Sequence, residues 1–245
     1  MSGGRAIYPS LAGRRVLVTG GGSGIGAGIV EGFAAQGAHV TFFDVAERES
    51  TALAERLGGN VRFRRVDLTD VDALLAEIAA AGPFDVLVNN AANDDRHTLA
   101  EVTPAYWDER VAVNLRHYFF CAQAVAPGMR AAGGGAIVNL GSISWHLGLA
   151  DLTLYETAKA GIEGMTRALA RELGVDDIRV TCVVPGNVRT PRQMKWYTPE
   201  GEAEIVAAQA LKGRLDPADI AAMVLFLASD DARLVTGHHY FVDAG

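Results

Sequence analysis

Cysteine is nearly missing from these 245 residues: Cys121 and Cys182 are the only two, far apart, each inside an apolar run. Neither sits in a C-x-x-C pair or near a histidine at ligand spacing, which excludes a disulfide framework and a zinc motif and leaves buried free thiols as the expectation. No stretch approaches the roughly 18 uninterrupted apolar residues of a membrane span, and the opening Met-Ser-Gly-Gly-Arg-Ala lacks a continuous apolar signal core, so a cytoplasmic protein without a membrane partner is expected. Basic residues are the minority, 22 Lys+Arg against 29 Asp+Glu for a net charge of -7, and no basic stripe marks a nucleic-acid surface. Lysine is scarcer still: only Lys159, Lys195 and Lys212. What is abundant is apolar residues, 49% of the chain, enough at this length for one large core.

Because arginine is the default cation, the lysine in Tyr155-Glu156-Thr157-Ala158-Lys159 reads as selected. A phenol and an ammonium four residues apart on a helix share one face, one turn from each other. A free tyrosine titrates near pH 10, so working as a base near neutrality needs a shift of roughly 3 units, or about 4 kcal/mol. Two unit charges about 4 Å apart at an effective dielectric of 20 interact by about 4 kcal/mol, so the ammonium supplies that order. A compact ammonium can also reach both a phenolate and sugar hydroxyls, where a guanidinium is bulkier and forks. Downstream, Ala160, Ile162, Met165, Leu169 and Leu173 recur at helical spacing, which places the pair near a helix start. The bland alternative is a core tyrosine beside a solvated lysine.

After a start expected to be flexible over residues 1–10, the apolar run Arg15 to Thr19 stops at a glycine-rich segment, Gly20 to Gly26, interrupted by Ser23 and Ile25. Strand, phosphate loop and helix (about Gly24 to Gln36) are expected here. The glycines let backbone N–H groups approach a pyrophosphate, and the helix aims the positive end of its dipole at it. The spacing contains the Ala-ending form of G-x-G-x-x-G over residues 22–27 and also fits T-G-x-x-x-G-x-G. A second run, His39 to Phe43, ends in Asp44, whose carboxylate can accept from both ribose hydroxyls of adenosine and repels a 2′-phosphate. NAD is therefore expected over NADP, with Arg48, one turn later, as the counter-signal.

The alternation continues with strands at Val61 to Val66, Asp85 to Asn89, Ala136 to Leu140, Ile178 to Val184 and Tyr240 to Val242. Helical patterns run Asp70 to Ala81, Pro104 to about Ala132 and Asp216 to Ala228. Repeated β and α units predict an α/β fold of Rossmann type: a single doubly wound parallel sheet of about seven strands with helices on both faces. Ligands bind such sheets at the carboxyl ends of the strands. The candidates there are Asp67 and Leu68 against the adenine, Asn90 and Ala91 after the fourth strand, Ser142 after the fifth and Pro185-Gly186 with Val188 after the sixth. Asn114, polar among Val111, Val113 and Leu115, is either a site amide or a satisfied core asparagine. Residues 190–212, holding Lys195, Trp196 and Tyr197 and leading into a helix from about Glu202, have the profile of a substrate lid. No linker divides residues 1–245, which read as one catalytic domain.

Thr19-Gly20 through Gly26, Asn89-Asn90-Ala91, Asn114, Ser142, Tyr155 with Lys159, and Pro185-Gly186 occur in the order and spacing of the short-chain dehydrogenase/reductase family. The resemblance covers essentially the whole chain. It implies that Tyr155 is the proton acceptor, Ser142 holds the substrate oxygen, Lys159 lowers the tyrosine pKa and binds the nicotinamide ribose, and Asn114 supports a water relay. It also implies an NAD site formed by Gly20, Ser23, Gly24, Ile25, Gly26, Asp44, Asp67, Leu68, Asn90, Ala91, Tyr155, Lys159, Pro185, Gly186 and Val188. No metal is required, and a homotetramer is implied. Ala92 departs from the family, which usually has glycine there.

At finer grain, residues 93–97 (NDDRH), 141–149 (GSISWHLGL), 155–173 (YETAKAGIEGMTRALAREL) and 195–203 (KWYTPEGEA) resemble bacterial NAD-dependent D-xylose 1-dehydrogenases and related aldose dehydrogenases. That implies oxidation of a cyclic aldose at its anomeric carbon to a lactone. Asn93, Ser142, Trp145, His146 and Tyr155 are the expected sugar contacts: Trp can lie against the C–H face of a ring, and Asn or His can pair with hydroxyls. Rival readings are a dehydrogenase of another aldose, such as L-arabinose, L-fucose or D-glucose, a 3-oxoacyl or carbonyl reductase of the same family, and an NAD-binding regulator without turnover. An intact Ser, Tyr and Lys set argues against the last.

Overall fold

The computed structural model describes residues 6–195 and 197–245; Trp196 in the expected lid and the first five residues of the expected flexible start lie outside them. Residues 6–10, by contrast with that expectation, are tied into the fold. A 3-10 turn at Pro9–Leu11 buries Leu11, the Tyr8 N–H donates to Gln36 Oε1 at 2.7 Å, and Ser10 Oγ accepts from the Asp230 N–H at 3.1 Å. One apolar anchor with two polar ties outweighs a glycine-rich opening.

Seven strands, β1 (Arg15–Thr19), β2 (His39–Asp44), β3 (Val61–Arg65), β4 (Val86–Asn89), β5 (Gly135–Leu140), β6 (Ile178–Pro185) and β7 (His239–Val242), form one sheet in the order β3-β2-β1-β4-β5-β6-β7. Every neighbouring pair is parallel. Side chains alternate across it. Val16, Val18, Phe42 and Val88 join the core on one face, with Phe33 of α1 (Gly24–Ala35), Leu53 of α2 (Glu47–Leu57) and Val224 of α9 (Pro217–Ala228). Leu17, Phe43, Leu87 and Ile137 join the opposite core, with Leu74 of α3 (Val71–Ala81), Met129 of α5 (His117–Ala131) and Leu169 of α7 (Thr153–Leu173). Burial on both faces is why inner strands such as β1, β4 and β6 read as near-continuous apolar runs, while β3 at the sheet edge alternates with arginine. From β1 the chain winds outward to β2 and β3, then returns to β4 on the other side, which opens a crevice at the carboxyl ends of β1 and β4.

Three departures from the sequence expectation bear on the site. The helical pattern of 104–132 is not one helix: α4 (Pro104–Val111) and α5 are joined by a π turn at Ala112–Arg116 that carries Asn114. After β5 a four-residue helix, α6 (Ser144–Leu147), forms where no helical pattern was expected. Finally, α8 (Pro199–Ala208) begins before Glu202, with proline at its start and Thr198 Oγ1 accepting from the Gly201 N–H at 3.2 Å. Among the described residues no helix is long and apolar enough to cross a membrane.

Candidate active site

A cleft of about 640 Å³ opens at the carboxyl ends of β1, β4, β5 and β6. Every residue expected at the cofactor, from Gly20 to Val188, borders it, as do Asn93 and Ser142.

Its floor is the glycine segment, and close approach explains the composition. A β-carbon at Gly26 would lie 1.9 Å from the Gly20 carbonyl oxygen, and one at Gly22 would lie 2.2 Å from Ser50 Oγ. Gly20 and Gly24 have φ of +66° and +54°, where other residues are strained. The first turn of α1 has no side-chain cap on its N–H groups, so they remain open toward the cleft beside Ser23, an arrangement suited to an anion. Asp44 at the end of β2 accepts from the Gly22 N–H (2.8 Å) and the Ala46 N–H (2.9 Å), one to each carboxylate oxygen. Asp67 accepts from the Thr69 N–H and hydroxyl. Arg48 points away, with 94% of its side chain exposed.

The wall after β4 is built by asparagines. Asn90 donates to both the Thr19 and Gly20 carbonyls, at 3.0 and 2.9 Å, so the end of β4 is fixed to the start of the glycine loop. Ala92 borders the cleft without disturbing this tie. Asn114 does not line the cleft; its amide accepts from the Asn93 N–H (2.7 Å) and donates to the Asn93 carbonyl (3.0 Å). Asn114 is thus a satisfied buried amide that braces the loop after β4. Burial pushes the His117 imidazole down to about 4, and this neutral ring donates to the Val113 and Ala91 carbonyls.

Tyr155 and Lys159 lie on the first turns of α7. Lys159 is 2% exposed; its ammonium donates to the Leu140 carbonyl at 2.7 Å and to the Tyr118 hydroxyl at 3.2 Å, and sits 5.5 Å from the centre of the Tyr155 ring. The expectation that Lys159 draws the phenol down is corrected. Burial pushes Tyr155 up to about 12; a hydrogen bond with Ser142 pulls it partly back, Asp94 raises it and Arg192 lowers it. The enclosure that hides the ammonium also desolvates it, bringing Lys159 down to about 8. In a dry site both charged forms are disfavoured together. Ser142 Oγ lies 2.9 Å from Ser144 Oγ and accepts from the Ser144 N–H, which fixes its rotamer.

Two expected sugar contacts are displaced. Trp145 and His146 do not border the cleft: as part of α6 they turn under the sheet end and meet the carboxylate of Glu163. Ser142 precedes α6, and the helix that starts at Ser144 carries both aromatic side chains toward Glu163 on α7 instead of into the cleft. Among cleft residues not singled out from the sequence are Glu109 and Arg110 on α4 and, within the expected lid, Arg192 and Gln193. The Arg192 guanidinium reaches across the mouth to the loop after β4, donating to Asn93 Oδ1 (2.7 Å) and Asp95 Oδ1 (2.8 Å), with Nε 3.0 Å from Asp94 Oδ1. Cys121 and Cys182 are buried free thiols held up near 12 by desolvation, so neither offers a nucleophile.

The family model described as enoyl-(acyl carrier protein) reductase matches residues 20–245. The D-xylose 1-dehydrogenase of Caulobacter vibrioides is 69% identical over 243 residues, 98% of this chain and 98% of that protein. A probable galactose dehydrogenase of Rhizobium meliloti is 47% identical, covering 97% of this chain and 96% of that protein. Among solved structures, a 7α-hydroxysteroid dehydrogenase complexed with NADH and 7-oxo glycochenodeoxycholic acid superposes with a TM-score of 0.92 at 31% identity, covering 97% of this chain and 96% of that one.

Proposed function

The chain belongs to the short-chain dehydrogenase/reductase family, and from that premise we propose that it oxidises D-xylose at its anomeric carbon, with NAD as hydride acceptor, to give the aldonolactone. The polar mouth of the cleft carries the choice of a sugar. Asn93, Asp94, Arg192 and Gln193 border the space above Ser142 and Tyr155, groups that suit hydroxyls, whereas an acyl thioester would want an apolar groove. The relatives named for D-xylose and galactose support the same substrate class.

The residues present fit a dinucleotide. The pyrophosphate would rest on the cradle of Gly20, Gly24 and Gly26, whose tight packing on Ala91, Thr190 and the Gly20 carbonyl leaves no room for β-carbons, the adenosine ribose would face Asp44, and the second ribose would lie near Tyr155 and Lys159. When bound, the nicotinamide supplies a hydride acceptor for C1. The protein handles the proton. Ser142 Oγ orients the C1 hydroxyl, Tyr155 accepts its proton, and Lys159, 5.5 Å from the centre of the phenol ring, would hold the second ribose. Asn114 acts one step back, through the Asn93 backbone. The reading includes one catalytic domain over 1–245, a lid over 190–212 and a cytoplasmic homotetramer; light scattering at four times 25.9 kDa would support the assembly.

The deciding experiment is NADH formation over a panel of D-xylose, L-arabinose, L-fucose and D-glucose, with NADH oxidation by an acyl thioester alongside. D-xylose is expected to have the highest kcat/KM; turnover of the thioester with none of the sugars would transfer the assignment to the carbonyl reductase alternative. For the cofactor, Asp44→Ala is expected to raise the NADP to NAD ratio of kcat/KM by roughly tenfold, about 1.4 kcal/mol, by removing a ribose acceptor and a repulsion together. A wild type that already prefers NADP would contradict the NAD assignment.

A further inference from the structure

We propose that Glu163 is a positioning residue that holds the Ser142 turn against the helix carrying Tyr155. Tyr155, Lys159 and Glu163 succeed one another by fours on one face of α7. Glu163 is 3% exposed, and a buried carboxylate persists only where its lone pairs meet donors. Here they come from two other elements. Oε1 accepts from Trp145 Nε1 at 2.7 Å and lies 3.0 Å from His146 Nε2, both on α6 just after Ser142. Oε2 lies 2.9 Å from His239 Nδ1 on β7.

Two further distances tie this cluster to the cleft. A β-carbon at Gly141 would lie 3.4 Å from Glu163 Oε1, so the carboxylate lies directly under the peptide that leads into Ser142. A β-carbon at Gly186 would lie 2.5 Å from Asp243 Cα, so the chain just beyond β7 presses on the Pro185-Gly186 turn. Glu163 thus joins three walls: the phenol helix, the serine turn and the end of the sheet. The protons also count out. The Glu163 backbone carbonyl, 3.1 Å from His239 Nε2, can only accept, so that nitrogen carries a proton. Nδ1 of the same ring faces the carboxylate oxygen Oε2 across 2.9 Å. An amide at 163 would turn an N–H₂ toward one of these donors, and at least one tie would open. The serine turn would then relax away from Tyr155, and a displacement of about 1 Å in a reacting group costs on the order of 100-fold in rate.

The inference rests on Ser142 and Tyr155 as the acting groups, and its test separates the two. Glu163→Gln in the full-length protein should lower kcat with the preferred aldose roughly 10- to 100-fold while the NADH dissociation constant changes less than about twofold. Amide exchange over residues 142–146 should quicken in the same variant. Trp145→Phe, which removes one donor from a partly exposed turn, should lower kcat by about threefold or more with NADH affinity unchanged; this variant decides the matter if Glu163→Gln does not fold. A kcat within about twofold of wild type in either variant, or a parallel loss of NADH binding that marks a fold-wide effect, overturns the proposal. If no aldose is turned over, the substrate reading falls by itself, and unchanged amide exchange in Glu163→Gln would still overturn the role of Glu163.

Discussion

Tyr155→Phe is expected to lower kcat for aldose oxidation by at least roughly 10³-fold while leaving NADH affinity within about twofold of wild type. The half-buried ring keeps its phenyl body and its packing; what disappears is the phenolic oxygen beside Ser142 that takes the proton of the C1 hydroxyl. The buried phenol, pushed up to about 12, implies the sign of the pH dependence as well. Only the deprotonated form is a base, so wild-type oxidation should rise with pH, by up to about tenfold per unit below the apparent pKa, and the variant's residual rate should stay flat. Steady-state rates across the alkaline range with NADH titrations at each pH check both parts. Residual turnover within about tenfold of wild type would remove Tyr155 from the chemistry.

The second large effect concerns the cradle. Gly26→Ala would place a methyl 1.9 Å from the Gly20 carbonyl oxygen and 2.7 Å from Asn90 Nδ2. The oxygen is backbone, and the asparagine is itself held by two carbonyls, so relief must come from moving α1 away from β1. Overpacking of this kind costs about 1–3 kcal/mol, and each kcal/mol shifts the Tm of a domain this size by about 2–4 °C. NADH affinity should fall further than stability, by more than roughly 100-fold, since the N–H groups meant for an anion are the ones displaced. Calorimetric titration and a thermal melt on the same preparation check it; wild-type affinity would show that the loop adapts.

The inner strands were legible because each is an apolar run stopped by a residue with a physical reason to stop it, such as Gly20, Asp44 or Asn90, whereas β3 at the edge carries Arg62, Arg64 and Arg65. The Tyr155 and Lys159 placement followed from spacing alone. Trp145 and His146 were misplaced because proximity in sequence to Ser142 does not set direction within a helical turn. Arg192 escaped because its partners lie almost a hundred residues earlier in the chain. The titration of Tyr155 was misjudged because a pair of charges can be read from spacing, whereas the desolvation of both belongs to the whole fold. Glu163 did leave a signal, since the step of four from Tyr155 to Lys159 repeats once more and lands on a charge.

The π turn at Ala112–Arg116 separates two helices that would otherwise share one phase. In an unbroken α-helix each residue fixes the direction of all that follow, about 100° per step. The wider turn absorbs one residue, so α4 can face the cleft mouth with Arg110 while α5 independently aims Tyr118 and Cys121 inward. Deleting a single residue here would restore regular helix and rotate one half against the other. Asn114 would leave the backbone of Asn93, and Tyr118 would leave Lys159. An irregularity invisible as a motif thus works as a frame-shift built into the helix, keeping two buried faces correct at once.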